Sequence, residues 1–424
     1  MKQKFTKQTE LVLDGNHSAA EALRQINPDV FGFYPITPTS YIGEKFSHFV
    51  ADGEVDTEYV CVESEHAAMS VCIGAAAAGS RACTATASQG LLLMNEVIWN
   101  ASGMRLPIVL INGNRSLGAP LSIHCDHNDI MSVRDAGWIQ LFAENAQEMY
   151  DFLLCAYRIA EDKKVRTPIM VCMDCFQTTH TKINVLIESD KAVQKFVGEH
   201  LVLNSLLDIE NPVSYGTFDK PNFYMEHRRA QLEGIKNAEE KTKEIFDDFA
   251  KTFKRGNSNL LDEYQTKDAD IAIVVLASTA GTIRRTINLL RSQGLKVGMI
   301  RPKVFRPFPA NDLLTSLKQF KRVLILDRMS PAGATHGTLC SEISALFYEE
   351  KICPQIKNVI YGLGSRETTF EDFAEIVRDF DNLPQEPKWI NLREDGPLFL
   401  FANASKYLIP TTTRTHFNNV MYLL

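Results

Sequence analysis

Three short segments carry side chains suited to chemistry. Tyr34-Pro35-Ile36-Thr37-Pro38 sets a threonine between two prolines, and Val62-Glu63-Ser64-Glu65-His66-Ala67-Ala68 holds two carboxylates. Asn112 through Pro120 places Arg115 ahead of a small loop containing Gly and Pro. Pro35 and Pro38 keep their turn stiff and extended, which fixes the Thr37 hydroxyl. A hydroxyl held this way can orient a ligand or cap the next helix. Glu63 and Glu65 stand at the entry of an Ala-rich helix, where the macrodipole favours carboxylates with or without a ligand. Two residues apart, they need not share a face, so one can enter a crevice while the other meets solvent. Arg115 can offer its planar fork to a carboxylate, or pair with Asp126, Asp129 or Asp135 nearby.

Two other clusters carry less. His124, Asp126, His127 and Asp129 are metal-ligand types, but nothing distant completes a known spacing, so no metal site is expected. Cys172 and Cys175 have redox spacing, yet Cys172 ends an apolar strand instead of opening a helix, which predicts structural thiols. The chain contains no Gly-x-Gly-x-x-Gly, no phosphate loop ending in Gly-Lys-Ser/Thr and no Gly-x-Ser-x-Gly elbow. Dehydrogenase, kinase and hydrolase readings thereby lose their main supports.

The elements that must position these residues alternate apolar β-rich runs with helical patterns, the mark of a mostly parallel sheet covered by helices. Strands are expected at 30–36, 59–62, 81–86, 107–111, 138–143 and 168–173, with helices at 66–78 and 90–102. Near-continuous apolarity of the strands fits burial on both faces. All three segments follow strands, where open α/β sheets place ligands. From 186 to 267 the character changes to a connecting arm and a charged helix over 230–253, with Leu232, Ile235, Ile245 and Phe249 at helical spacing. A second, smaller α/β region follows, with strands at 271–276, 296–300, 322–326 and 357–361 and a helix at 282–293. The tail from 386 is loop-like and ends in Val-Met-Tyr-Leu-Leu, an apolar stretch suited to docking on a partner.

Composition bounds the rest. The 424 residues are too many for one ordinary core, and 45% hydrophobic with 23% charged residues is a globular balance. The net charge of −7 and the lack of a long basic run argue against nucleic acid or an anionic membrane as a partner. The polar first residues and the absence of a 20-residue apolar stretch point to a cytoplasmic, unprocessed chain. Nine scattered cysteines suit reduced, buried thiols, and no closely spaced iron–sulfur pattern is present.

Read together and in order, the segments closely resemble pyruvate:ferredoxin oxidoreductases. Besides the three segments, Thr86-Ala-Ser-Gln-Gly-Leu-Leu-Leu-Met94, Met173-Asp174 with Thr179-His180-Thr181, and Tyr224-Met225-Glu226 agree. So do Ser278 with Gly281-Thr282, Phe305-Arg-Pro-Phe-Pro309 and Leu326-Asp327-Arg328. The similarity runs from about Asp14 to Phe380 and departs at Cys175, where the family usually has glycine. It implies a thiamine diphosphate enzyme α subunit in two parts: a pyrimidine-binding domain over 1–185 and a transketolase C-terminal-like domain over 268–385. By the same resemblance, Glu65 would hydrogen-bond the aminopyrimidine ring, with Glu63 left as a helix-entry residue. Thr37 would orient the substrate and Arg115 would bind its carboxylate. The implied reaction is decarboxylation of a 2-oxoacid, with acyl transfer to coenzyme A and electrons to ferredoxin, reversible as a synthase. The family's Gly-Asp-Gly motif is missing, so magnesium, the diphosphate grip and the iron–sulfur clusters are expected on a β subunit and on γ and ferredoxin-like δ subunits. Branched-chain 2-oxoacids are an alternative substrate. A non-catalytic scaffold subunit and a free-standing α/β binding protein are alternatives from other classes.

Overall fold

The computed structural model describes residues 5–351 and 353–393. The first half runs β1 (Thr9–Leu13), α1 (Gly15–Ile26), β2 (Val30–Phe33), α2 (Ser40–Ala51), β3 (Glu58–Cys61), α3 (Glu65–Ala77) and β4 (Ala82–Thr86). It continues with α4 (Ser88–Leu93), α5 (Asn95–Gly103), β5 (Val109–Asn114), α6 (Asn128–Ser132), β6 (Ile139–Phe142), α7 (Ala146–Glu161) and β7 (Ile169–Asp174). Then come β8 (Ile183–Ile187), α8 (Asp190–Val197), α9 (Pro221–Phe253) and β9 (Leu261–Tyr264). The second half holds β10 (Ile271–Val274), α10 (Thr279–Ser292), β11 (Val297–Pro302), β12 (Val304–Arg306), α11 (Ala310–Leu317) and β13 (Arg322–Asp327). It closes with α12 (Thr338–Leu346), β14 (Gln355–Ile360), α13 (Phe370–Arg378) and β15 (Lys388–Trp389).

Two twisted sheets organise the chain. The first has seven strands in the order β12-β6-β7-β5-β4-β2-β3, and all its registers are parallel except that of β12. The second has six strands in the order β15-β14-β13-β10-β11-β9, parallel apart from β9. The central strands β4, β5 and β7 are buried at every residue, as helices on both faces require. One face of the first sheet packs on α1, α7 and the lower part of α9. The other face shares a core with the second sheet, through residues such as Leu91, Trp138, Val274 and Ile325. A third cluster lies between the second sheet and α10 and α13. The architecture is the expected two-part α/β fold.

Local chemistry explains the helix starts that matter here. Asp14 caps α1 by accepting from His17 N, and Ser64 caps α3 by accepting from Ala67 N at 3.2 Å. Helix α3 lies close on β2 because Gly32 has no side chain: a Cβ there would sit 2.7 Å from the Ala68 carbonyl oxygen.

Some expectations change. The helix expected over 90–102 is two helices, α4 and α5, and the ribbon that pairs β1 with β8 was not foreseen. Helix α9 starts at Pro221, which fits the first helical position. Its buried stripe includes Gln231, Gly234, Ala238, Thr242, Ile245 and Phe249, while Leu232 faces out at 58% exposure. The stripe turns this way because Gly234 allows a close approach: a Cβ there would lie 2.7 Å from Val165 O. Strand β9, within the stretch read as a connecting arm, lies on the edge of the second sheet. The apolar end Val420–Leu424, expected to dock on a partner, lies outside the described residues. Among the described residues no helix is long and apolar enough to cross a membrane.

Candidate active site

The order of the first sheet selects the place for a ligand. From β2 the chain moves to its neighbour β3 on one side, and from β4 to β5 on the other. The crevice beyond the C-terminal ends of β2 and β4 is therefore a topological switch point. Thr37 follows β2, Glu65 follows β3, Ser88 to Gly90 follow β4 and Arg115 follows β5. Four loops from four adjacent strands thus meet at one edge of the sheet.

Glu65 is the first residue of α3 and is 7% exposed, whereas Glu63 is exposed. The carboxylate lies over Gly90 of α4. A Cβ on Gly90 would come within 2.6 Å of Glu65 Oε1 and of Thr86 Oγ1 alike. Thr86 is fully buried, and its hydroxyl has no hydrogen-bond partner among the described residues. A carboxylate and an orphaned hydroxyl therefore converge on the bare backbone of Gly90, which can lie this close to both only because it has no side chain. Buried polar atoms are normally satisfied, so the unpaired Thr86 hydroxyl beside a carboxylate marks this spot as a candidate for a polar ligand.

Arg115 and Thr37 are brought together directly. Arg115 is 7% exposed; its Nη1 donates to the Thr37 carbonyl oxygen at 2.9 Å and its Nε to Ser122 O at 3.3 Å. These two bonds aim the guanidinium and leave Nη2 uncommitted among the described residues. The acidic partners considered for Arg115 are engaged elsewhere. Asp126 Oδ1 accepts from Asn128 N, Asp135 lies beside Arg306, and Asp129 accepts the backbone N–H of Arg115 without touching its guanidinium. The Thr37 turn rests on β5, where a Cβ at Gly113 would meet Pro38 at 2.7 Å. The residue at the N-cap of α2 is Thr39, whose hydroxyl donates to Ile36 O, so capping does not explain Thr37. Thr37 itself is exposed at the mouth of the crevice.

The loop after Arg115 crosses the start of α4 and joins the two groups of residues. The Ser88 hydroxyl donates to Ser116 O, and a Cβ on Gly118 would touch Gln89. Thr37, Glu65 and Arg115 are therefore linked through neighbouring loops at one end of the sheet, by way of Thr86, Gly90 and Asp129, which carry no site signal in the sequence. The orphaned hydroxyl and the close approach of Glu65 to Gly90 depend on three-dimensional packing and leave no local sequence pattern.

His127 and Asp174 lie beside this region in a second polar cluster between the two halves. Asp174 is fully buried and accepts from His127 Nε2 at 2.8 Å, Asn114 Nδ2 at 3.2 Å, Ser278 Oγ at 2.6 Å and Arg328 Nη1 at 3.2 Å. Burial alone would raise its pKa, but His127 and Arg328 outweigh that and hold the carboxyl well below the usual range. Cys125, His127 and Asp174 cluster closely enough to hold a metal ion. Arg328 already supplies the positive charge there, which makes the cluster an ion-pair network. His124 is exposed and packs against Phe176, apart from buried His127. Cys172 and Cys175 are free, buried thiols, and burial pushes the Cys175 thiol up to about 12.

Comparison with known proteins agrees with this architecture. Residues 21–247 match the family described as pyruvate flavodoxin/ferredoxin oxidoreductase, thiamine diP-binding, and residues 269–373 match pyruvate:ferredoxin oxidoreductase core domain II. The chain is 43% identical to pyruvate synthase subunit PorA of Thermotoga maritima, over 91% of this chain and 98% of that one. It is 41% identical to the Methanocaldococcus jannaschii subunit of the same name, over 90% and 98%. Identity to ketoisovalerate oxidoreductase subunit VorA of Pyrococcus abyssi is 38%, over 90% and 98%. Among solved structures, a 2-oxoglutarate:ferredoxin oxidoreductase from Magnetococcus marinus shares the fold with a TM-score of 0.66 at 18% identity. The match covers 87% of this chain and 65% of that longer one. A split-gene transketolase gives a TM-score of 0.51 at 12% identity, over 88% and 99%. This chain belongs to the pyruvate flavodoxin/ferredoxin oxidoreductase family, as a subunit that joins its thiamine diphosphate-binding domain to core domain II.

Proposed function

We propose that the chain is the α subunit of a pyruvate:ferredoxin oxidoreductase, and that it contributes half of a thiamine diphosphate site. The convergence of Glu65 and the unpaired Thr86 hydroxyl on Gly90 carries this reading: a carboxylate and a hydroxyl stand together, the partners that the ring nitrogens and amino group of an aminopyrimidine would need. Glu65 would share a proton with a ring nitrogen, favouring the tautomer in which the amino nitrogen can act as a base. When bound, thiamine diphosphate supplies the carbon nucleophile and electron sink that 2-oxoacid decarboxylation needs. Arg115 would hold the substrate carboxylate through its uncommitted Nη2, and Thr37 at the mouth would orient the reacting end. Overall, pyruvate and coenzyme A give acetyl-CoA and CO2, and two electrons leave for ferredoxin.

The chain has no Gly-Asp-Gly segment and no run of closely spaced cysteines. Magnesium, the diphosphate grip and the iron–sulfur clusters are therefore assigned to partners: a β subunit with the complementary domain, and γ and ferredoxin-like δ subunits. The chain's residues 1–185 would form the pyrimidine-binding half, 186–267 the connection and 268–385 the second domain. Relatives named for pyruvate reach 43% identity and those named for ketoisovalerate 38%, which favours pyruvate. Branched-chain 2-oxoacids are the second reading.

The test is an assay of the native complex for coenzyme A-dependent reduction of a low-potential dye with several 2-oxoacids. Pyruvate is expected to give the highest kcat/KM. Preference for 2-oxoisovalerate would transfer the chain to the second reading, and no activity with any 2-oxoacid would favour a scaffold.

A further inference from the structure

We propose that Asp129 is a positioning residue for 2-oxoacid binding, holding the Arg115 loop in register with the turn that seats Glu65. The inference rests on the proposed role of Arg115 as the carboxylate-binding group.

Asp129 is fully buried on the short helix α6, beneath the crevice. A single carboxylate oxygen, Oδ2, accepts from Ser88 N at 2.9 Å, Arg115 N at 3.1 Å and Asn112 Nδ2 at 3.2 Å. The other oxygen accepts from Ile130 N at 2.7 Å. All four donors are neutral amides. A buried carboxylate matched only by amides loses its hydration without gaining an ion pair, and its return is the seating of four N–H donors that an apolar side chain would strand. Burial pushes the Asp129 carboxyl up to about 7, and the four bonds oppose that shift. What the group does supply is geometry.

Two of its donors belong to different parts of the candidate site. Ser88 follows β4 in a left-handed conformation, with φ of 53°, that a non-glycine residue adopts only under constraint. Its N–H is fixed by Asp129 and its hydroxyl by Ser116 O. That constraint sets where the next turn places Gly90 against Glu65. Arg115 N is fixed by the same oxygen, and from there the Arg115 side chain reaches Thr37 O. One atom therefore sets the spacing between the part of the site that faces the proposed ring and the part that faces the substrate carboxylate. Loosening it should move the guanidinium by a fraction of an ångström to an ångström, enough to weaken substrate positioning.

A double-mutant cycle in the assembled complex tests this, with KM for pyruvate and KM for coenzyme A as readouts. Asp129→Asn keeps the shape but weakens all three bonds to the shared oxygen, since a neutral amide oxygen is a poorer acceptor than a carboxylate, while its NH2 group opposes Ile130 N. It is expected to raise the pyruvate KM about tenfold, with coenzyme A KM near normal. Arg115→Ala should raise the pyruvate KM more, and adding Asp129→Asn to it should change that constant little further. An unchanged pyruvate KM in Asp129→Asn, or effects that multiply in full in the double variant, would overturn the positioning role. An unchanged KM in Arg115→Ala alone would instead remove the underlying assignment. If Asp129→Asn does not assemble, Asn112→Ala removes one of the donors and enters the same cycle, with a rise of about threefold expected and absence of any rise counting against the role.

Discussion

Two polar clusters lie at the C-terminal ends of neighbouring strands in the first sheet, and they are built to opposite rules. Around Asp174 every group finds its partner: His127, Asn114, Ser278 and Arg328 converge on one carboxylate. Around Glu65 and Arg115 the groups are aimed but incomplete. Thr86 has an orphaned hydroxyl, Arg115 Nη2 is uncommitted among the described residues, and Gly90 lets Glu65 and Thr86 close on its backbone. A closed network serves to join two halves of a chain, whereas an open one waits for something outside it. Both contain buried charge, so burial alone does not distinguish a binding site from a joint. The state of the donors and acceptors, taken together with their place beyond the C-terminal ends of the strands, does.

If this contrast is correct, substitutions in the two clusters should separate activity from stability. Glu65→Gln should lower turnover by about a thousandfold, within the range of lost proton-transfer roles, with the thermal midpoint of the complex little changed. Retained turnover would erase the distinction at its open end. Asp174→Asn should do the reverse, costing about 3 kcal/mol of stability because Arg328 is left buried without its counter-charge. Denaturant unfolding checks this, and the surviving folded fraction should keep most of its activity. The sign of the pH effect follows from its lowered pKa. The stabilisation is whole above the ordinary value of 3.8 and fades as pH falls below it, so wild type and Asp174→Asn should converge in acid.

Smaller changes sharpen the comparison. Gly90→Ala drives a methyl group against Glu65 Oε1 and Thr86 Oγ1 and must displace them, and thiamine diphosphate affinity, measured by reactivation of cofactor-stripped complex, should fall about tenfold. Unaltered reactivation would mean that the ring does not bind beside Glu65 and Thr86. Thr86→Val replaces an unsatisfied hydroxyl with a methyl group of similar volume. Stability should stay within about 1 kcal/mol, while cofactor affinity falls a few-fold. A clear stability loss would show that the hydroxyl has a partner within the folded chain.

Much of this was legible before folding was considered. The six strands expected before the connecting region and the four expected after it all occur, with ends shifted by a few residues, because strands buried on both faces are apolar along their whole length. Strands set by distant pairing were not legible. The ribbon of β1 with β8, the edge strand β9 and the pairing of β12 with β6 depend on partners far away in sequence. Leu232 and Gly234 show the same limit within a helix: the apolar residue suggested the packed face, but the absent side chain decided it. At the candidate site, residue type and position after a strand were enough to pick out Thr37, Glu65 and Arg115. The contact of Arg115 with a carbonyl oxygen, and the role of Asp129 as acceptor for backbone amides, belong to tertiary geometry and carry no sequence signal.

Strand β12 has a consequence for the chain as a unit. Val304–Arg306 belongs by sequence to the second half, yet it seals the exposed margin of β6 in the first sheet. A truncated protein ending at 267 would present bare amide and carbonyl groups along that margin, a template for aggregation. Neither half is self-sufficient, and any attempt to transplant the thiamine-facing part into another protein must carry that short strand along.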